Sequence, residues 1–327
     1  MLILAGDVGG TSTRLAYFQA ERGKLEVLAE GHFPSAQHAS LYEIVRLFAA
    51  EHQLTPERAC FGIAGPIVDG VVKTPNLPWS ISRAELALQV GLPELQLIND
   101  LTANTYGISL LQPEDLAVLN QGKADPTGTI AVVSAGTGLG ESLAFWDGRG
   151  YRPLPSEAGH ADFAPRSDLE DDLLRFLRGA FGRVSYERVV SGPGLLNIYR
   201  FLKESHYLPE DPAVAAVLQT GDPGAVITGA ALAGSCPLCG KTLDLFLSGY
   251  GAECGNAALR FLATGGVYLG GGIAPHILSK LREPAFLKAF TDKGRLSPLL
   301  ATIPLMVILN DRAALLGAGR AAMDQGA

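Results

Sequence analysis

Two glycine-rich turns carry the first chemical signal in this 327-residue chain. Gly6-Asp7-Val8-Gly9-Gly10-Thr11 follows the apolar run Leu2–Ala5, and Ser134-Ala135-Gly136-Thr137-Gly138-Leu139-Gly140 follows Ile130–Val133. Each turn leads into a second strand, and those strands share a pattern, Leu15-Ala16-Tyr17-Phe18 and Leu143-Ala144-Phe145-Trp146. Glycine lacks the Cβ that keeps a backbone N–H away from a phosphate, and it adopts positive φ readily. An aspartate in such a turn can hold Mg²⁺ through water, and Thr11 can donate a hydroxyl. Taken singly, the first turn fits an ordinary tight hairpin as well. The second resembles a dinucleotide fingerprint only on the surface, because Glu141–Trp146 continues as a strand where that motif needs a helix. No Gly-Lys-Ser/Thr follows at P-loop spacing. What remains is a pair of phosphate-cradling hairpins, one in each half. They imply a nucleotide gripped in a cleft between two related domains, and phosphoryl transfer as the chemistry.

Other residues fit that chemistry. Leu97-Ile98-Asn99-Asp100 delivers an amide and a carboxylate at the end of an apolar strand. In open α/β sheets that edge is where ligands bind. Either residue could also simply cap the helix that follows, and a cap can hold a catalytic carboxylate rigid. An aspartate there could accept a hydroxyl proton during attack on a γ-phosphate. Glu157 and His160, three apart in Pro155–Asp162, could contact adjacent hydroxyls, bind a metal, or be plain loop residues. Glu187 carries no intrinsic signal. Gly270-Gly271-Gly272 after Val267–Leu269 could admit a flat ligand against the backbone or be a strand-to-helix turn.

The elements that must position these groups alternate. The patterns predict strands at 2–6, 13–19 and 25–33, a helix at 41–51, a strand at 59–64, a helix at 83–90 opened by the capping box Ser82–Glu85, and a strand at 95–98 running into a helix that ends near 111. That βββαβαβα order fits an open sheet with helices added after it. The turn-rich stretch 112–128 reads as a boundary. Strands are then predicted at 129–134, 140–146 and 151–154, and a helix from 168 to a stop at Gly179. Further helices follow at 194–204, 211–219, 223–233 and 240–262, then strands at 266–270 and 304–309 and a last helix at 312–323.

Bulk properties narrow the class. A chain that is 47% hydrophobic and 18% charged can bury ample cores, and its length suits two domains. The net charge of −7, with no Lys/Arg cluster, argues against a nucleic-acid partner. The N-terminus lacks a basic segment and an h-region, and no apolar stretch reaches membrane-spanning length, so a cytoplasmic protein with no membrane partner is expected. Cys236-Pro-Leu-Cys239 has knuckle spacing, but only Cys254 lies near as a third ligand.

Together, and in this order, the motifs resemble the hexokinase-type branch of the actin-like sugar kinases, and more narrowly the bacterial glucokinase family. Gly6–Thr11 and Ser134–Gly140 match the two phosphate motifs, Leu97–Gly107 the first connecting motif, and Gly265–Gly272 the adenosine motif. Ala314–Ala321 matches the second connecting helix, with small residues for a close crossing. The resemblance covers essentially the whole chain. It implies two actin-like, ribonuclease H-like α/β domains around an interdomain cleft: residues 1–111 plus about 310–327, and residues 112–309. It implies an ATP- and Mg²⁺-dependent transferase that phosphorylates D-glucose at its 6-hydroxyl, feeding glycolysis, and a homodimer.

Residue by residue, the resemblance makes Asp100 the general base and places Asn99 beside it on the sugar. Glu157, His160 and Glu187 would bind ring hydroxyls, with Gly65 and Asn76 in the small-domain wall of the sugar site. Gly6, Asp7, Val8, Gly9, Gly10, Thr11, Gly136, Thr137, Gly138, Gly271 and Gly272 would bind the nucleotide, with Asp7 toward Mg²⁺. A related family carries a zinc motif, CxCGxxGCxE, shortly after its His-containing loop. No cysteine stands between Ala161 and Phe181, so zinc is not expected. The alternatives are a kinase for mannose, fructose or an N-acetylated hexose, a non-catalytic sugar-responsive binding protein, and an actin-like ATPase.

Overall fold

Strand β1 (Leu2–Val8) is buried on both faces over Ile3–Gly6, which explains the apolar run that precedes Asp7. In the computed structural model, which describes residues 1–74 and 77–324, it forms the centre of a five-stranded sheet. β2 (Ser12–Glu21) folds back on it antiparallel, with Asp7 opposite Arg14, and β3 (Lys24–Pro34) extends that meander. β4 (Arg58–Ile63) lies parallel to β1 on its other side, with Asp7 opposite Gly62. A separate small sheet follows, made of β5 (Ile67–Val68), β6 (Val71–Lys73) and β7 (Ser80–Ser82). β8 (Gln96–Asn99) then closes the main sheet parallel to β4, in the order β3-β2-β1-β4-β8.

Helices α1 (Leu41–His52) and α2 (Arg83–Val90) pack on one face through Leu41, Ile44, Val45, Phe48 and Leu86. The C-terminal helix Ala313–Met323 covers the other through Leu315, Ala318, Ala321 and Ala322. Helix α3 (Asp100–Gly107) crosses that helix backbone to backbone. A Cβ on Gly317 would sit 1.7 Å from the carbonyl oxygen of Ala103, and one on Gly107 2.1 Å from that of Ala313.

By contacts, this unit comprises Met1–Asp115, Asp147–Pro155 and Asn310–Ala327, and a second unit comprises Leu116–Trp146 and Ser156–Leu309. The second unit repeats the opening scheme. After β9 (Leu116–Asn120), strands β10 (Ile130–Ala135) and β11 (Leu139–Trp146) form a hairpin. β12 (Tyr151–Ser156) follows in the chain, its residues through Pro155 counted with the first unit, and the helices come next. They are α4 (Asp168–Phe181), α5 (Gly192–Glu204), α6 (Pro212–Leu218), α7 (Pro223–Leu232) and α8 (Pro237–Phe261). β13 (Gly266–Gly270) runs parallel to β10, and β14 (Leu305–Ile308) runs parallel to β13 and antiparallel to β9. Between them lie α9 (Ile273–His276), α10 (Leu278–Leu281), α11 (Pro284–Thr291) and α12 (Ser297–Thr302). Helix α8 is buried over most of its surface, with Lys241 and Asp244 on its exposed side.

Several elements differ from the sequence reading, which placed no helix where α9–α12 lie. The stretch 112–128 contains β9, a five-residue strand too short to stand out between Pro113 and Gly122. Helix α4 runs through Gly179 to Phe181. Gly179 is exposed and a Cβ there would meet nothing, so the helix tolerates it at a cost of about 1 kcal/mol. The terminating glycine is Gly182, whose φ of 69° the L-residues disfavour. The β5–β7 sheet was not anticipated, because its strands are two or three residues long. Among the described residues no single helix is long and apolar enough to cross a membrane.

Gly317→Ala is expected to destabilise by about 1–3 kcal/mol through overpacking, since the methyl meets backbone that cannot move aside. Chemical denaturation checks this, and an unchanged midpoint would show that the crossing relaxes freely.

Candidate active site

The first turn is held by a serine that the sequence did not single out. Ser35 Oγ donates to the carbonyl oxygen of Gly9 at 2.8 Å and pairs with Thr13 Oγ1 at 3.0 Å. Its backbone N–H donates to Thr11 O at 3.0 Å, and Gly9 N donates to Ser12 O at 2.9 Å. These bonds pin Gly9, Gly10 and Thr11 between β1 and β2. Gly6 admits the Phe61 ring, which a Cβ there would meet at 2.3 Å, and Val8 is in the core.

Asp7 is half-buried on β1. Burial and then the negative charge of Asp100 push its carboxyl up to about 6, against the opposing pull of Arg14. Arg14 is itself anchored, donating to both the carbonyl oxygen and the carboxylate of Asp311. Asn99 and Asp100 stand at the carboxyl end of β8, where the ladder aligns Val8, Ile63 and Asn99. Asn99 is the N-cap of α3. Its Oδ1 accepts from Leu101 N at 3.0 Å, and its Nδ2 donates to Gly65 O at 3.4 Å. Asp100 Oδ1 accepts from the same N–H at 2.9 Å. The helix N-terminus therefore holds a carboxylate by hydrogen bond and by dipole. Gly65, with φ of 117°, turns the chain after β4. Asn76 lies outside the described residues.

In the second unit, Glu157, His160 and Glu187 come together. His160 Nε2 lies 3.9 Å from Glu157 and its Nδ1 3.8 Å from Glu187. Backbone pairing does this: Tyr186 N donates to Ala161 O at 2.9 Å, and Asp162 bridges Ser185. Glu187 then reaches the second hairpin, where its Oε2 accepts from Leu139 N at 3.0 Å. Two glycines leave room for this arrangement. A Cβ on Gly138 would meet Glu187 Oε2 at 2.5 Å, and one on Gly159 would meet Leu139 O at 1.9 Å. Gly271, with φ of 79°, packs its Cα against Ala135 O, so β13 ends flush with the second hairpin.

Beside that hairpin opens a cavity of about 470 Å³. Gly136, Thr137 and Gly272 line it, together with the starts of α5 and α7 and with His276. Substituents on Gly136 or Gly272 would point into open space. Gly272 O accepts from His276 Nδ1 at 2.6 Å, which fixes that ring. The size falls within the range of about 300–1,000 Å³ typical of small-molecule sites.

The chain was compared with known proteins. The family model described as Glucokinase matches residues 4–325. The chain belongs to the glucokinase family. The glucokinase of Nostoc punctiforme is 43% identical, and that of Enterobacter sp. 40% identical, each alignment covering 97% of this chain and 97% and 95% of the respective relative. The crystal structure of a glucokinase from an Antarctic psychrotroph superposes with a TM-score of 0.88 at 32% identity, over 99% of both chains. A ROK family glucokinase from Streptomyces griseus, solved with glucose and AMPPNP, shares the fold with a TM-score of 0.65 at 21% identity, over 99% of both chains. The fold is accordingly that of the actin-like sugar kinases.

Two features of this family member stand apart from ligand contact. Among the described residues, no group of three or more His, Cys, Asp or Glu is arranged to hold a metal ion, and Cys236, Cys239 and Cys254 are buried free thiols. Directly behind the second hairpin, Glu141 on β11 and Glu253 on α8 are both fully buried, and one guanidinium, Arg260, pairs with each. Asn256 Nδ2 donates to Glu253 at 2.8 Å, and Lys293 Nζ donates to Asn256 Oδ1 at 2.7 Å. Burial, then the neighbouring Glu253 carboxylate, pushes the Glu141 carboxyl far above the ordinary range. The fold therefore holds a proton that the unfolded chain releases above its ordinary pKa of 4.5, and stability falls as pH rises from there until Glu141 ionises in place. Glu141→Gln should flatten that decline in a pH series of denaturation midpoints. An identical slope in the variant would remove Glu141 as its source.

Proposed function

We propose that this chain is an ATP-dependent glucokinase, transferring the γ-phosphoryl group of ATP to the 6-hydroxyl of D-glucose to give glucose 6-phosphate and ADP. Membership of the glucokinase family supports the activity. The observation that carries the mechanism is the convergence of Asn99 and Asp100 with Asp7 at one strand edge, on a braced glycine turn. A carboxylate capped at a helix start is fixed in direction, which suits a base that must meet one hydroxyl.

In this reading Asp100 accepts the 6-hydroxyl proton as that oxygen bonds to the γ-phosphorus. The bond from phosphorus to the β,γ-bridging oxygen breaks, and ADP leaves with the electron pair. Asn99, Gly65 and Asn76 hold the sugar beside Asp100, and Glu157, His160 and Glu187 take its ring hydroxyls. Gly9, Gly10, Thr11, Gly136, Thr137 and Gly138 cradle phosphates, with Gly271 and Gly272 against the nucleoside. Since the phosphoryl transition state is loose, positioning and electrostatics supply most of the acceleration.

Mg²⁺ fits the first turn. Asp7 is a hard oxygen donor whose charge is opposed by Asp100, so a cation relieves both. No ready-made cage is present among the described residues, which suits an ion arriving on the nucleotide and keeping water ligands. When bound, it neutralises charge on the transferring phosphoryl group. The resemblance also implies a cytoplasmic homodimer, and sedimentation velocity reads the assembly directly.

The test is incubation with Mg-ATP and single hexoses, following ADP and sugar phosphate together. Equimolar, glucose-dependent release is expected, and ADP without sugar phosphate would overturn the reading. Asp100→Asn should lower kcat by roughly 10²- to 10⁴-fold while glucose binding by calorimetry changes far less. Near-normal turnover in that variant would remove Asp100 as the base.

A further inference from the structure

The cavity beside the second hairpin contains one feature that neither phosphate binding nor sugar chemistry uses. Asp222 stands in its lining as the N-cap of α7. One carboxylate oxygen, Oδ1, accepts from Ala225 N at 2.7 Å. A carboxylate has room for further hydrogen bonds on its second oxygen. Asp222 is exposed, so that oxygen stands at the mouth of the cavity rather than in its interior. The interior wall is apolar, formed by Leu195, Leu196, Ile273 and Ile277.

We infer that Asp222 recognises the ribose of the phosphoryl donor, its Oδ2 accepting hydrogen bonds from the vicinal 2′- and 3′-hydroxyls. This rests on the kinase reading above and specifies its donor as a ribonucleotide. A nucleoside has one flat, largely apolar face and one edge bearing two adjacent hydroxyl donors. The cavity presents the complement, with aliphatic side chains inside and an acceptor-only group at the rim. The phosphates enter from Gly136 and Thr137, so the base faces the aliphatic wall and the diol remains at the solvent edge. Two glycines keep that approach open: a Cβ on Gly136 or Gly272 would project into the space itself. A hydrogen bond to a charged acceptor is worth more than a neutral one, and two on one oxygen discriminate strongly against a ligand lacking both hydroxyls.

Calorimetric binding of ADP and 2′,3′-dideoxy-ADP separates this role from capping. Wild-type protein should bind ADP about ten- to a hundredfold more tightly than the dideoxy analogue. Asp222→Ser keeps a good N-cap but is too short to reach the diol. It should weaken ADP to near the dideoxy value and leave dideoxy-ADP almost unchanged. Equal affinities in the wild type would overturn the inference whether or not the variant folds. So would absent ADP binding, or equal losses for both ligands in the variant, which is what a purely structural cap produces. Because the readout is binding, failure of the kinase reading would register separately, as discrimination between the two nucleotides without glucose 6-phosphate formation.

Discussion

The first unit depends on keeping two mutually repelling carboxylates close without letting them move apart. Burial first, and then the negative charge of Asp100, raises the Asp7 carboxyl above an ordinary carboxylate. Three parallel strands resist the repulsion. The ladder β1-β4-β8 fixes Asp7 opposite Gly62 and Asn99 opposite Ile63, so neither residue can slide without breaking a row of backbone hydrogen bonds. The start of α3 then rewards a negative charge at Asp100 through the Leu101 N–H, which it shares with Asn99, and the helix dipole. The site is loaded in advance with negative charge, and a cation carried by a phosphate chain is the natural partner of that arrangement.

Close approach by glycine is the second device, and it recurs wherever two elements carrying functional groups meet. Gly62 lets β4 lie against Ala103 of α3, and Gly317 lets the C-terminal helix touch the same helix backbone. In the second unit Gly138 makes space for Glu187 and Gly159 for the carbonyl of Leu139. Each glycine removes a side chain so that a backbone or carboxylate can occupy its volume, which turns a packing rule into a positional one. The buried Glu141–Glu253 pair uses the opposite tactic, filling space behind the hairpin with charge that Arg260 and a retained proton keep tolerable.

Much of the fold was legible because its strands and helices obey strong local patterns. The two strand-turn-strand repeats, the capping box at Ser82, and the small-residue C-terminal helix all declare themselves by composition. The exceptions are short or tolerant. Strand β9 exists only because β14 offers it an edge, and α4 passes an exposed glycine at small cost. The proximity of Glu157, His160 and Glu187 shows a different limit. Spacing relates the first two, but Glu187 joins them through the Asp162–Ser185 bridge, a pairing of loops with no sequence mark.

The residues that sequence reasoning missed share one property: their partners are distant along the chain or are backbone atoms. Ser35 braces a turn that lies more than twenty residues before it, and Arg14 is anchored by Asp311 near the other end of the chain. A serine after a strand or an aspartate before a helix looks the same whether it caps, braces or binds. Asp222 shows this best, since its capping role is plain from Asp-Pro at a helix start. What distinguishes it is the second oxygen, and the meaning of that oxygen comes from the cavity next to it. Local sequence specifies a donor or an acceptor, and only the fold decides what it faces.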